Sequence, residues 1–351
     1  MKASNTIPSL DGLRAVSFLL VYAAHSGLDR VVPGGFGVTI FFFLSGFLIT
    51  TLLRAEYDRR ESLNLKHFWL RRALRILPPF YLVLVLSIVV SLLLGPPAVV
   101  SSGAVAAQLL HYTNYWMIGH GGGSVPIGTN VYWSLAVEEH FYLIFPWCYL
   151  AMRRHGFSGR QQAATLYAAC AAVLLWRIAL VMGLGASVDR TYLATDTRVD
   201  SILFGCALAV FNNPVADARR WPERAVKYVL LPGSLALLVA CLLIRSPEFR
   251  ETLRYSLQGI ALTGVFTAAL LLPYWGPFRL LNSRPLTVLG TLSYPLYLVH
   301  FMVLNVYSVL WPGSPLGVRA VASAAVSLLI AWLIHVLVER PAARLRHRYA
   351  A

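Results

Sequence analysis

A histidine inside a long apolar run is the first position where this chain can do chemistry. His25 closes the stretch SLDGLRAVSFLLVYAAH, residues 9–25. That stretch opens with Asp11 and Arg14, three apart and therefore neighbours on a helix. Arg14 and His25 are eleven positions apart. On a helix that is about three turns, one shared face and roughly 16 Å. Such a histidine either packs with a satisfied hydrogen bond or carries a proton in a buried cavity. A second charged site lies in VYWSLAVEEHFYLIFPW, where Glu138 and Glu139 interrupt an aromatic, apolar run. Ionisable groups there face protein or water. Either they pair with Arg177, Arg198 or Arg14 to hold a bundle together, or one stands beside the histidine or a substrate hydroxyl. His140 follows directly but shows a different face from Glu139, which makes it a poor catalyst.

The run WLRRALRILPPFY carries Arg71, Arg72 and Arg75 at spacings that give one broad helical face. This is either a stop signal that anchors topology or a clamp for phosphate. Guanidinium forks suit a polyanion better than a lone positive charge requires. In YLATDTRVDSILFG, Asp196 and Asp200 are four apart and share a helical face. They bind sugar hydroxyls or pair with Arg198 and its neighbours. Arg177 stands alone in an apolar run and needs a partner inside the bundle. Ser45 has no base near it in sequence and is a weak candidate nucleophile.

The elements that position these residues are membrane helices. Of 351 residues, 58% are hydrophobic and 13% charged, where soluble domains carry about 25% charged residues. Apolar runs recur at 13–28, 34–53, 76–94, 132–152, 163–183, 198–212, 228–244, 254–273, 287–309 and 318–338. They predict an all-α fold, a polytopic membrane helix bundle with about ten transmembrane helices. The run at 198–212 is short and starts with Arg198 and Asp200, so it must be tilted or shielded by protein. Residues 103–118 contain Gln108, His111 and Asn114 and read as an interfacial or re-entrant piece. Pro78 and Pro79 should break or kink their helix. Lys and Arg total 30 against 15 Asp and Glu. In a soluble chain that excess would raise nucleic acid as a partner. Here basic loops explain it, with both termini and the loop Arg54–Arg75 cytoplasmic and residues 95–131 outside. Lys2, Arg219, Arg220 and Arg348 add to that bias.

The first run lacks a clear cleavage signal and opens a series of similar ones, so it is no signal peptide. The four cysteines, Cys148, Cys170, Cys206 and Cys241, include no CxxC pair, and no metal site or disulfide framework is expected. No GxGxxG, GxxxxGK[ST] or HExxH occurs. The chain reads as one integral membrane domain over 1–351, with a core at 7–340 and a basic, cytoplasmic, lipid-facing tail at 340–351. No internal repeat is visible, which weighs against most secondary transporters.

Taken in order, LDGLRAVSFLLVYAAH, FGVTIFFFLSGFLIT, FWLRRALRILPPFY, YWSLAVEEHFYLIFPW, TRVDSILFG and LGTLSYPLYLVH resemble acyltransferase family 3. These integral membrane proteins O-acylate sugars, polysaccharides and some macrolides. The resemblance covers residues 7–340. It implies a ten-helix bundle in the bacterial cytoplasmic (inner) membrane. The implied reaction moves an acetyl or other short acyl group from acyl-CoA to a hydroxyl of a carbohydrate or glycan. Acetyl-CoA or another acyl-CoA is then a donor substrate, and no cofactor is tightly bound. His25 matches the family's essential histidine and Arg14 the arginine of its opening motif. Arg71 and Arg72 match its cytoplasmic arginine region, and Glu139 the second acid of WSLxxEEQFY. His140 replaces the usual glutamine of that motif, which alters a local hydrogen bond. Many relatives carry an extracytoplasmic hydrolase-like domain. This chain is expected to lack it, so that the core completes transfer alone or hands the acyl group to a separate extracytoplasmic transferase.

Acyl transfer to a hydroxyl needs a base, a site for the donor's phosphates and dipoles at the developing oxyanion. His25 suits the first role, with Glu139 as a group that orients the ring. His25 can instead take the acyl group itself as an acyl-imidazole. Arg14, Arg71, Arg72 and Arg75 suit the donor phosphates. Glu138, Asp196, Arg198 and Asp200 are the acceptor-side candidates, and no metal is assigned. A transporter or flippase for an anionic or lipid-linked substrate would use the same intramembrane charges. A non-catalytic membrane scaffold would tolerate loss of His25.

Overall fold

Apolar runs of helical length cannot leave backbone groups unpaired in lipid, so they must close their hydrogen bonds internally. The computed structural model describes residues 7–95, 100–218 and 221–347, and these are helices joined by turns and loops. Lys2, Arg219, Arg220 and Arg348 lie outside the described residues. Helix α1 (Leu10–Ala23) passes into a π-helical turn, Ala24–Leu28. Next come α2 (Gly34–Arg60) and α3 (Leu65–Leu94), then the short α4 (Ser102–Leu109) and α5 (Thr113–His120). After α6 (Trp133–Arg154) and α7 (Gly159–Ile178), the short α8 (Val188–Leu193) and α9 (Thr195–Arg198) lead into α10 (Asp200–Val210). The short α11 (Glu223–Ala225) leads through a π turn into α12 (Leu231–Leu243), and α13 (Pro247–Glu251) precedes α14 (Leu253–Leu271). The chain ends with α15 (Phe278–Leu281), α16 (Arg284–Thr291), α17 (Ser293–Leu310), α18 (Leu316–Ile334) and α19 (Arg340–His347).

Each apolar run expected to span the membrane coincides with a helix or a continuous pair of helices. Among the described residues, six helical segments are long and apolar enough to cross a membrane by length and composition. They are 34–60, 65–94, 159–183, 223–243, 293–310 and 316–346. The chain is a multi-pass helical membrane bundle. α1, α6, α10 and α14 fall short of that measure, and protein covers much of their surface. The extreme case is α10, in which every residue is buried. It packs against α2, α7 and α14. The short run at 198–212 is thus shielded by protein. Two glycines permit the closest crossing. A Cβ on Gly46 of α2 would overlap the Ile202 carbonyl, and one on Gly205 of α10 would overlap the Phe43 carbonyl. Backbone approach of this kind is how helices bind tightly where lipid removes the hydrophobic drive.

Two expectations change. α3 does not break at Pro78 and Pro79 but runs through them as one helix. Packing holds it there, and Tyr294 donates from its hydroxyl to the Ile76 carbonyl at 2.8 Å, just before the prolines. The basic tail also does not simply face lipid, since α19 packs against α3. Residues 103–118 form α4 and α5, two eight-residue helices. Each is roughly 12 Å long, far too short to span a bilayer. His111 turns the chain between them at φ 54°.

Candidate active site

His25 sits in the π turn that ends the first helix, with Gly27 at φ 107° closing the turn. A π turn inserts one residue into the helical ladder and re-aims the side chains around it, often at functional positions. His25 Nδ1 lies 2.9 Å from Nε2 of His300 on α17. His300 is fully buried. Its Nδ1 lies 2.9 Å from the Tyr297 carbonyl oxygen and 3.2 Å from that of Leu296. A carbonyl only accepts, so His300 Nδ1 carries the hydrogen. With both rings neutral, His300 Nε2 is then an acceptor and His25 Nδ1 must donate to it. The network therefore assigns the lone pair of His25 to Nε2. Among the described residues Nε2 has no hydrogen-bond partner. The two rings are nearly parallel, 9° apart with centroids 5.2 Å apart, and Phe301 packs at 4.6 Å from His25.

One turn before His300, Tyr297 joins this pair to a cavity. Its ring centroid is 5.6 Å from that of His300, and it also lines a cavity of about 110 Å³. Arg14, Arg72, Arg75, Glu138 and Glu139 converge on the same space. Arg14 is paired with Asp11 at 2.9 Å. The Arg72 guanidinium lies over the rings of Tyr142 and Phe68, at 5.4 and 5.9 Å. Among the described residues it forms no ion pair. The cation–π contacts therefore place the charge without neutralising it. Ser45 shares a hydrogen bond with the Tyr142 hydroxyl, and the Glu138 carboxyl reaches it from the same cavity wall. Arg72 and Arg75 also line a second cavity of about 220 Å³ with Arg71, Glu56, Phe68 and Arg346. Arg71 is paired with Glu56 at 2.9 Å.

The structure brings Arg14, Arg72, Arg75, Glu138 and Glu139 together, and places His25 beyond Tyr297 and His300 rather than in the same wall. The ring of His25 is held by a second imidazole, where the sequence offered a carboxylate such as Glu139. His140 points its Nδ1 at Thr195 Oγ1, 2.7 Å away.

The remaining acceptor-side candidates lie elsewhere. Asp200 is fully buried and accepts from Arg177 at 2.7 Å and from Ser256 at 2.8 Å. Arg177, also fully buried, has therefore found its partner there. Arg198 is fully buried among Tyr255, Tyr192, Trp133 and Phe42, with its guanidinium carbon 4.1 to 5.5 Å from their rings. Asp196 is at the surface, held by Arg190 at 2.5 and 3.1 Å and by Trp176 Nε1 at 2.7 Å. Burial works to raise the Asp196 carboxyl, yet the Arg190 and Trp176 hydrogen bonds bring it below the ordinary carboxylate range. Asp196 and Asp200 both turn toward α7, Asp196 to Trp176 and Asp200 to the neighbouring Arg177. None of Asp196, Arg198 and Asp200 lines either cavity. Among the described residues no cluster of His, Cys, Asp or Glu is arranged to hold a metal.

His300, Tyr297, Tyr294 and Arg346 were not singled out from the sequence as site residues. His300 carried the same signal as His25, a histidine inside an apolar run. Its partner could not be read, because the two are 275 positions apart.

Residues 7–336 match the acyltransferase 3 family, described as an acyltransferase domain. The peptidoglycan O-acetyltransferase OatA of Listeria monocytogenes is 30% identical over 352 residues, covering 95% of this chain and 55% of the relative. The putative peptidoglycan O-acetyltransferase YrhL of Bacillus subtilis is 32% identical, covering 95% of this chain and 54% of the relative. A putative O-acetyltransferase of Staphylococcus aureus is 30% identical over 87% of this chain and 52% of the relative. The chain thus spans about half the length of the curated relatives it matches. No solved structure matches it.

Proposed function

The chain belongs to the acyltransferase 3 family, and on that premise we propose that it is a membrane O-acyltransferase acting from acyl-CoA on a glycan hydroxyl. The observation that carries the reading is the free Nε2 of His25, with Nδ1 tied to His300 at 2.9 Å. A base must present one lone pair to one proton, and this network presents it at one nitrogen. The acyl group moved is acetyl or another short acyl group. The donor's phosphates are held by Arg72 and Arg75, which line both cavities, with Arg71 and Arg14 beside them. The pantetheine arm runs through the smaller cavity toward Tyr297 and delivers its thioester at the histidine pair. Arg14 and His25 are eleven residues apart, roughly 16 Å along a helix, and an extended pantetheine arm is of similar length.

In the reaction, Nε2 of His25 takes the proton of the acceptor hydroxyl as its oxygen attacks the thioester carbonyl. A new C–O bond forms and the C–S bond breaks. The imidazolium returns its proton to the departing thiolate. His300 Nε2 still accepts from His25 Nδ1 throughout, which steadies the imidazolium and keeps the ring from turning. Glu138 and Glu139 face the same cavity and act on the charge of the arginines around the donor arm. The names of the relatives point to a cell-wall glycan as acceptor class, which enters from the outer side, while the basic loops and both termini face the cytoplasm. Macrolides fit the same hydroxyl chemistry.

The test is acyl transfer by the purified protein in nanodiscs, with radiolabelled acetyl-CoA and candidate glycans. His25→Ala should melt as the wild type does and still bind CoA, but lose about 10²–10⁴-fold in rate, the usual contribution of a positioned base. Wild-type turnover in His25→Ala would overturn the assignment. Substrate movement across the membrane without acyl-CoA consumption would replace the enzyme with a transporter.

A further inference from the structure

The second cavity has a wall that the arginine-rich loop does not supply. Its basic residues are Arg71, Arg72 and Arg75 on α3, and Arg346 on α19. Among the described residues the only acidic side chain lining it is Glu56, which Arg71 engages at 2.9 Å. Among the described residues, Arg72, Arg75 and Arg346 form no ion pair. Arg346 is close enough to Arg75 for the two charges to repel. Like charges gathered around a small cavity destabilise it unless an anion enters. Phe68 and two leucines, Leu52 and Leu53, line the rest. That combination suits a ligand with several phosphates and one flat apolar portion.

We propose that Arg346, on the C-terminal helix, is the fourth arginine of an anion site that takes the nucleotide phosphates of the donor. This rests on the acyl-CoA reading above and extends it to a segment whose sequence suggested only contact with lipid. The helix reaches the site because α19 packs along α3, the helix that carries the other three arginines. Guanidinium groups match phosphate oxygens with two parallel hydrogen bonds, which a lysine cannot reproduce.

Calorimetry on the full chain in nanodiscs of zwitterionic lipid tests this with CoA and pantetheine as probes. Wild type should bind CoA at least tenfold more tightly than pantetheine. Arg346→Ala should cut that preference by about tenfold, the scale of one charge-assisted hydrogen bond, and leave pantetheine binding unchanged. Arg346→Lys should restore part of it. Thermal melting of each variant checks that α19 still packs. If wild type does not distinguish CoA from pantetheine, the donor reading fails. If wild type distinguishes them and Arg72→Ala abolishes the preference while Arg346→Ala retains all of it, the donor reading stands and the role of the tail is overturned. A parallel series with phosphatidylglycerol in the nanodisc separates the two sources of phosphate. An Arg346→Ala effect seen only as altered response to phosphatidylglycerol would assign the arginine to lipid and overturn the proposal.

Discussion

Replacing His300 tests the tautomer argument more sharply than replacing His25 does. In His300→Leu, His25 Nδ1 loses its acceptor at 2.9 Å. A net hydrogen bond is worth about 1 kcal/mol, and a buried donor left unsatisfied costs about 1–3 kcal/mol. His25 escapes that cost by moving its proton to Nε2 or by turning its ring. Either response removes the lone pair from the side where the hydroxyl arrives. A penalty of about 1–3 kcal/mol corresponds to a loss of roughly 5- to 150-fold in kcat. That reaches only the low end of the 10²–10⁴-fold expected when the base itself is gone. His300→Gln keeps an oxygen that can accept from Nδ1, and should recover to within about tenfold of wild type. KM for acyl-CoA should not change, because the proposed site for the donor's phosphates is at the arginines. Steady-state kinetics and melting on the same nanodisc preparations decide it. A His300→Leu protein with wild-type kcat would refute the reasoning. So would a glutamine variant as slow as the leucine variant when both melt normally, because a hydrogen-bond acceptor would then not be what His25 needs.

Two further outcomes follow from charges outside the histidine pair. Arg177→Met leaves Asp200 as an unpaired carboxylate in a fully buried site. It should destabilise the bundle by about 3–5 kcal/mol, whereas Asp196→Asn at the surface should change thermal melting little, and differential scanning calorimetry separates the two. Cysteines placed singly at Glu61 and Ser124, in a background without Cys148, Cys170, Cys206 and Cys241, should react with a membrane-impermeant maleimide only at the Ser124 position in intact cells. Labelling at Glu61 from outside would reverse the proposed topology.

The apolar runs were legible because a bilayer demands about 20 apolar residues per crossing, and that demand leaves a mark in the local sequence. The shielding of 198–212 was legible for the same reason, since Arg198 and Asp200 cannot face lipid. Helical spacing also announced that Arg72 and Arg75 share a face. It could not say which helix that face meets, and so neither Arg346 nor Tyr297 stood out. The pairing of Arg177 with Asp200 follows from how α7 and α10 cross, which their separate sequences do not record. Spacing put Asp196 and Asp200 on one face, but it could not name the partners on α7, Trp176 and Arg177, that hold them.

For the cell's insertion machinery, α10 poses a problem of timing. Eleven residues rise only about 16 Å, against an apolar layer of about 30 Å. Such a segment cannot be partitioned into lipid on its own when it leaves the ribosome. Two of its neighbours, α2 and α7, precede it in the chain, but α14 follows it. Its final seat therefore exists only once α14 has been synthesised. Until then the segment waits against a half-built cradle, with Gly205 already able to meet α2. Chains stopped before residue 253 should thus be a substrate for membrane proteases, even though most of their apolar helices are complete.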